Sequence, residues 1–221
     1  MTALTLAVLV AGLFVVLSCA SFAGDDPLGG PRKNVILIGD SIRIGYQDVV
    51  RSALDGIAAV GRPDENGGNT RNVLAHLEDW AISRRPDVVH VNCGLHDLRV
   101  MRGDADNFVP LAEYGANVER IITGIRERTG AAVIWATTTA INEVRHRSAK
   151  DWTRSEADVV RYNRAAAEVC ERLGAPVDDL YAVVMEAGRD SILGPDGVHF
   201  TPEGYRLLGE AVARFLRAEL E

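Results

Sequence analysis

The 221-residue sequence contains only three cysteines, no cluster of basic residues and no internal repeat. Cys93 and Cys170 lie far apart, at the end of a predicted buried strand and on a predicted helix, which favours two buried thiols over a disulfide or a metal site. Lysine and arginine number 24 against 31 acidic residues, for a net charge of -7. This balance argues against a protein that binds nucleic acid. With 47% hydrophobic residues, the chain can build one α/β domain with a substantial core.

Residues Leu4–Leu17 form the one long stretch without charge, and they are apolar or small. The stretch is shorter than a typical membrane span and fits the hydrophobic region of a secretory signal, although the usual preceding basic residues are missing. Ser21–Ala23 is a candidate cleavage site, whereas Val16–Cys19 resembles a bacterial lipobox in which Cys19 would carry the lipid. An uncleaved anchor is the remaining alternative. We expect an exported protein that meets a membrane only through lipidated Cys19 or an uncleaved signal.

The expected organisation is a signal at residues 1–23, a linker rich in glycine and proline at residues 24–33, and one domain at residues 34–221. Within the domain, strand-like segments alternate with helix-like ones. Residues Gly94–Asn107 and Ala140–Thr153 are predicted as irregular loops. The alternation predicts an α/β protein whose parallel sheet is covered on both faces, a three-layer α/β/α sandwich. Strands are predicted at Asn34–Ile38, Ile57–Val60, Val88–Asn92, Ala132–Thr138 and Val177, and helices at Ile44–Gly56, Arg71–Ser83, Leu111–Thr129, Ser155–Leu173, Leu180–Ala187 and Thr201–Leu220.

The first predicted strand runs directly into Gly39, Asp40 and Ser41. Open α/β sheets place their chemistry at the carboxyl ends of strands, so a serine on a tight turn before a helix is a candidate nucleophile. The same three residues are common in ordinary turns, and taken alone they are weak support for a site.

Near the other end of the chain, Asp196 and His199 share one predicted loop. A serine hydroxyl needs a general base, which His199 would supply if Asp196 oriented its ring. A plain turn before the last helix would have the same residues. Because right-handed connections bring the carboxyl ends of parallel strands to one edge, we expect Ser41, Gly68 and His96 to gather there.

The adjacent glycines Gly67 and Gly68 lie in a predicted loop. Glycine lets a backbone amide approach a ligand closely, which is what stabilisation of an oxyanion requires. A flexible turn would also contain such a pair, so the pattern is weak on its own.

Together these blocks resemble the SGNH (GDSL-type) hydrolase superfamily over about residues 34 to 219. The first block matches Gly39–Ser41, with Ile42 where leucine is common. The second block matches Gly68–Thr70. The last block matches Asp196–His199, which is followed by the family's usual start of the final helix.

The third block departs from the family pattern of glycine, any residue, asparagine and aspartate, because this chain has Gly94-Leu95-His96-Asp97. We prefer the interpretation that His96 replaces the asparagine as an oxyanion donor, since a neutral imidazole N–H donates one hydrogen bond. A second interpretation is a weakened site in a slow enzyme or a binding pseudoenzyme. A third is a metal ligand, but no second ligand stands at metal-site spacing.

The resemblance implies a flavodoxin-like five-stranded parallel sheet of order 2-1-3-4-5 and a serine esterase without a cofactor or metal. Its expected substrate is an O-acyl ester, a small-molecule or carbohydrate ester with a small acyl group such as O-acetyl. Ser41 would attack, His199 would act as base and acid with Asp196 behind it, and Ser41, Gly68 and His96 would hold the oxyanion. An O-acyltransferase on the same triad and a catalytically weak carbohydrate-binding pseudoenzyme are the alternatives.

Several other residues are weaker candidates for the substrate pocket. Asp40 and Asn69 lie within the first and second matched blocks, and Asn142 lies in the loop after the fourth strand. The remaining ones are either pocket or solvated loop residues, namely Arg145, His146, Arg147 and Trp152. His76 and His90 are predicted as ordinary helix-surface and strand residues.

Overall fold

A computed structural model of the chain describes residues 32–149 and 152–221, the side chains of residues 148 and 149 excepted. The predicted signal, with Cys19, and the linker up to residue 31 lie outside the described residues. Within the described residues, no helix combines the length and the apolar composition needed to cross a membrane.

The core of the fold is a five-stranded sheet in the order β2-β1-β3-β4-β5. All neighbouring strands are parallel. The prediction of a flavodoxin-like parallel sheet is therefore confirmed, with strand ends shifted by up to two residues. The strands are β1 Lys33–Gly39, β2 Ala58–Gly61, β3 Val88–Asn92, β4 Ala132–Ala136 and β5 Val177–Asp178.

The register aligns the carboxyl ends of the central strands. Gly39 of β1 pairs with Asn92 of β3, and Asn92 pairs in turn with Ala136 of β4. Ala136 pairs with Asp178 of β5. The residues that follow these strands therefore emerge side by side at one edge of the sheet.

Nine helices in the described part of the chain surround this sheet. The long helix α1 packs against α9, and α4 packs against α6. Right-handed connections in this strand order place the two pairs on opposite faces, which gives the three layers. The helices are α1 Ser41–Ala53, α2 Thr70–Ala75, α3 Leu77–Trp80, α4 Leu111–Thr129, α5 Glu143–Ala149, α6 Glu156–Leu173, α7 Leu180–Glu186, α8 Arg189–Ile192 and α9 Pro202–Leu220.

Helix α1 begins at Ser41, three residues before the predicted start at Ile44. The Asp40 carboxylate accepts a hydrogen bond from the Ile42 amide at 2.9 Å and so caps the helix. This cap satisfies an amide that would otherwise lack a partner. The serine therefore lies in the first turn of the helix, directly after β1.

Two predictions of secondary structure were wrong. The single helix predicted at Arg71–Ser83 is divided into α2, α3 and a 3₁₀ turn at Ile82–Arg84. His76 lies at the division, where its ring bonds back to the Asn72 carbonyl oxygen and stacks on Trp80. Such bonds from a side chain to the backbone compete with a regular helix.

The loop predicted at Ala140–Thr153 contains helix α5. The Asn142 side chain accepts a hydrogen bond from the Arg145 amide at 3.0 Å and caps this helix. With seven residues, α5 is too short to show a clear apolar period. The four-residue helix α8 was also not predicted.

Candidate active site

Ser41 and His199 lie at the edge where the strands end. His199 Nε2 is 2.8 Å from Ser41 Oγ, and His199 Nδ1 is 2.5 Å from Oδ2 of Asp196. The three predicted residues thus form one continuous chain of hydrogen bonds, although 158 positions separate the serine from the histidine. This geometry suits proton transfer between a hydroxyl and an imidazole.

The loop that carries Asp196 and His199 is held by the aspartate itself. Its Oδ1 accepts hydrogen bonds from the amides of Val198 at 3.1 Å and His199 at 3.0 Å. Burial would raise the pKa of Asp196, but the hydrogen bonds from the His199 ring and from these amides outweigh it and lower the pKa to about 2. Asp196 is therefore ionised at neutral pH and accepts a hydrogen bond from the His199 ring.

Gly197 gives this loop its shape. Its φ of +70° lies in the left-handed region, and a Cβ here would lie 2.4 Å from the Asn142 carbonyl oxygen. The Gly197 carbonyl oxygen accepts a hydrogen bond from the Asn142 amide at 2.8 Å. Only glycine fits this contact without strain, so the sequence Asp-Gly-Val-His places its two polar side chains through a glycine turn.

The loop with the two glycines lies against the end of β1. The Gly67 amide donates to the Gly39 carbonyl oxygen at 2.8 Å, and a Cβ on Gly67 would lie 2.7 Å from that oxygen. The Gly68 amide donates to Oδ1 of Asn66 at 2.8 Å. The amide that was predicted to hold an oxyanion is thus bonded to a side chain of its own loop.

His96, from the third block, lines the same cleft as Ser41 and His199. Burial, together with the positive charges of Arg154 and Arg99, lowers the pKa of His96 to about 4. The imidazole is therefore neutral at neutral pH and carries one N–H donor.

The cleft has a volume of about 290 Å³ and brings together four predicted residues, Ser41, His96, Asp196 and His199. Asn66, Val198 and Arg154 also line it. So do His146 and Trp152, whose rings meet edge to face at 4.9 Å between centroids. Because His146 and Trp152 line the cleft, they are better interpreted as pocket residues than as solvated loop residues.

Other predicted pocket residues lie outside this cleft lining. Asp40 is buried below it, where burial raises its pKa to about 6 and the Ile42 amide acts in the opposite direction. Asn69 caps α2 by accepting from the Asn72 amide. Asn142 caps α5, as described above. Arg145 donates to the carbonyl oxygens of Leu193 and Asp190, and Arg147 pairs with Glu143.

The residues outside the site follow their predictions. Cys93 and Cys170 are buried and free. His76 is exposed between α2 and α3, whereas His90 is fully buried on β3 and lies 3.0 Å from the Asp178 carboxylate.

The sequence interpretation missed Asn66, Val198 and Arg154. Val198 could have been found, because it stands between the matched aspartate and histidine. A single arginine or asparagine in a loop carries no comparable signal, since most such side chains are solvated.

The protein is therefore an α/β sandwich whose cleft brings a serine, a histidine and an aspartate together. The model of the GDSL-like Lipase/Acylhydrolase family matches residues 37–207. The chain therefore belongs to this family.

Solved structures share the fold of this chain. A lipase/acylhydrolase from Enterococcus faecalis is 27% identical over 86% of this chain and 97% of its own, with a TM-score of 0.72. The acetyl xylan esterase AlAXEase is 19% identical over 83% and 99%, with a TM-score of 0.67. An acetyl xylan esterase from Geobacillus stearothermophilus is 20% identical over 82% and 93%, with a TM-score of 0.66. No curated protein matches the sequence.

Proposed function

We propose that the protein hydrolyses O-acyl esters through an acyl-enzyme on Ser41. The observation that carries the proposal is the chain of hydrogen bonds from Ser41 through His199 to Asp196. Because Asp196 is ionised, it accepts from Nδ1–H of His199, which leaves Nε2 free to accept the serine proton.

The reaction begins when Ser41 Oγ attacks the ester carbonyl carbon and its proton moves to Nε2 of His199. The carbonyl oxygen becomes an oxyanion, and His199 then gives the proton to the departing alkoxide oxygen. This leaves an acyl group on Ser41 and a free alcohol. Water repeats the sequence on the acyl-enzyme and releases the carboxylic acid.

The oxyanion needs donors that are aimed at it before the reaction begins. We assign this role to the amides of Ser41 and Gly68 and to the neutral imidazole of His96. The Ser41 amide is available because the first amides of a helix have no partner within the helix. The Gly68 amide becomes available when Asn66 moves away from it.

A small acyl group on a carbohydrate is the substrate that we propose. A cleft of about 290 Å³ lies at the lower end of the range for ligand pockets, which suits a short acyl group. The fold-level likeness to two acetyl xylan esterases supports the same choice.

Release of 4-nitrophenol from 4-nitrophenyl acetate tests the proposal. We expect the wild type to turn over, and Ser41→Ala to lose the activity and its labelling by a serine-directed phosphonate. Ser52→Ala, which changes an exposed serine on the same helix, is the matched control and should keep both. Wild-type protein that neither turns over nor becomes labelled would contradict the proposal.

A further inference from the structure

Arg154 is a buried arginine in the wall of the proposed active site. It precedes α6, is only 4% exposed, and lines the cleft that also contains Ser41 and His199. An arginine this deeply buried normally has a carboxylate partner. Among the described residues, no carboxylate forms an ion pair with Arg154. The one hydrogen bond that Arg154 makes to these residues goes to the Leu95 carbonyl oxygen.

The guanidinium is nevertheless held in place. Its Nε donates to the Leu95 carbonyl oxygen, and its central carbon lies 4.3 Å from the centroid of the Trp152 ring. The two contacts fix the plane of the group from one edge and one face. The terminal nitrogens remain as donors for a molecule in the cleft.

The acidic groups nearest Arg154 act on it through space and form no ion pair with it among the described residues. Asp40 and Asp196 are the acidic groups that act on it, while Arg99 opposes them. Asp196 is already engaged by His199, and the Asp40 carboxylate accepts from the Ile42 amide. His96 and His199 also face this part of the cleft. In a protein with a net charge of -7, the Arg154 guanidinium is a local positive charge in the lining of the cleft.

We propose that Arg154 binds a carboxylate carried by the alcohol part of the ester, so that the substrate is an O-acylated sugar acid. This inference rests on the proposed esterase activity with a small acyl group, because an acetyl group cannot carry the charge itself. The planar fork of arginine matches the two oxygens of a carboxylate. Binding there holds the ester in one orientation beside Ser41.

The test compares two esters that differ in one charge, an O-acetylated methyl glucuronoside and the methyl ester of the same compound. Acetate release gives kcat/KM for each with wild type, Arg154→Met and Arg154→Lys. A hydrogen-bonded ion pair predicts that the wild type prefers the carboxylate by roughly 10- to 100-fold. Arg154→Met should bring the ratio of kcat/KM for the carboxylate to kcat/KM for the methyl ester to about one. Arg154→Lys should keep part of the preference for the carboxylate. Arg99→Met removes the same charge outside the cleft lining and should keep the preference.

Two results overturn the inference. One is a wild type that cleaves both esters equally well. The other is an Arg154→Met variant that loses the same factor with both, because Arg154 would then act on the oxyanion or on the Leu95 loop.

Binding separates this inference from the proposed function. Calorimetry on Ser41→Ala should detect the acetylated glucuronoside but not its methyl ester, and adding Arg154→Met should abolish the difference. If the wild type cleaves neither ester while this difference in binding holds, the esterase activity fails and the carboxylate site stands. Equal binding of both compounds rejects the site.

Discussion

The carboxylate of Asp97 accepts hydrogen bonds from both the backbone amide and the hydroxyl of Thr70. Oδ1 of Asp97 is 2.9 Å from the Thr70 amide, and neither residue is exposed to solvent. Asn117 also donates to the Thr70 hydroxyl oxygen at 3.0 Å. Asp97 follows His96 and Thr70 begins α2, so this contact fixes the third sequence block against the loop with the two glycines.

Asp97→Asn should make the stability of the protein less dependent on pH. Burial raises the pKa of Asp97 to about 7, although the hydrogen bonds from Thr70 act against it. The folded state therefore holds more protons than the unfolded state between about pH 4 and 7, and the free energy of unfolding falls as pH rises through that window. In the Asp97→Asn variant, the fall in the free energy of unfolding over this window should be smaller by about 1 kcal/mol or more. Asp40, whose pKa is raised to about 6, keeps a smaller decline in the same direction.

Urea unfolding at a series of pH values between about 4 and 7 measures this effect. Asp48→Asn, which changes an exposed aspartate on α1, is the control and should retain the wild-type slope. An Asp97→Asn variant with the wild-type slope would show that Asp97 is already ionised at the low end of the window.

His96→Asn and His96→Ala should differ sharply in rate. Asparagine restores a neutral N–H donor at this position, so we expect kcat/KM to stay near that of the wild type. Alanine removes the donor, and the loss of one oxyanion contact costs about 100-fold or more in kcat. The measurement is hydrolysis of 4-nitrophenyl acetate, with the exposed His76→Ala as control. Equal activity of the alanine variant and the wild type would exclude His96 from the oxyanion site.

The sheet and the convergence of Ser41 with His199 could be predicted because both depend on short-range patterns. Apolar runs identify β1 and β3, and parallel connections bring residues after the strands to one edge. The exact residue at which α1 begins could not be predicted, because the apolar period starts at Ile44 while the Asp40 cap starts the helix earlier. Periodicity finds buried faces and does not see a cap that one side chain provides.

The positions of Arg154 and Asn66 in the cleft could not be predicted from the sequence for a different reason. Their positions depend on the paths of two irregular loops, and a loop's path depends on tertiary contacts that no local pattern encodes. Asn142 was predicted in the pocket, and its side chain caps α5. Polar residues near a site divide between ligand contacts and caps, and only the geometry tells which they make.

Asn66→Asp should lower activity far more than Asn66→Ala. Asn66 Oδ1 accepts from the Gly68 amide, so it occupies the position that the proposed oxyanion would take at that amide. An aspartate would hold the amide more tightly and would repel a developing negative charge. We expect kcat/KM for 4-nitrophenyl acetate to fall by about 100-fold in Asn66→Asp. Asn66→Ala, which frees the amide, should match or exceed the wild type. A large loss in the alanine variant would instead make the asparagine a contributor to the site.

Arg43 links the candidate nucleophile turn to the loop with the two glycines. It is fully buried in α1, and its guanidinium donates to the carbonyl oxygens of Gly39, Pro63 and Glu65 and to the side chain of Gln47. Three of these contacts are to backbone oxygens, so the arginine determines how the loop lies against the end of β1.

Arg43→Met should lower kcat while the protein remains folded. Loss of the guanidinium leaves buried carbonyl oxygens unpaired at a cost of about 1–3 kcal/mol each, and a displacement of about 1 Å in the loop costs up to about 100-fold in rate. Arg126→Met is the matched control, because Arg126 also donates to two backbone oxygens, those of Leu173 and Gly174, at the end of α6. Both variants should lose stability in urea, whereas only Arg43→Met should lose kcat for 4-nitrophenyl acetate well below its unfolding temperature. Equal effects of the two variants on kcat would mean that Arg43 contributes general stability and does not position the loop.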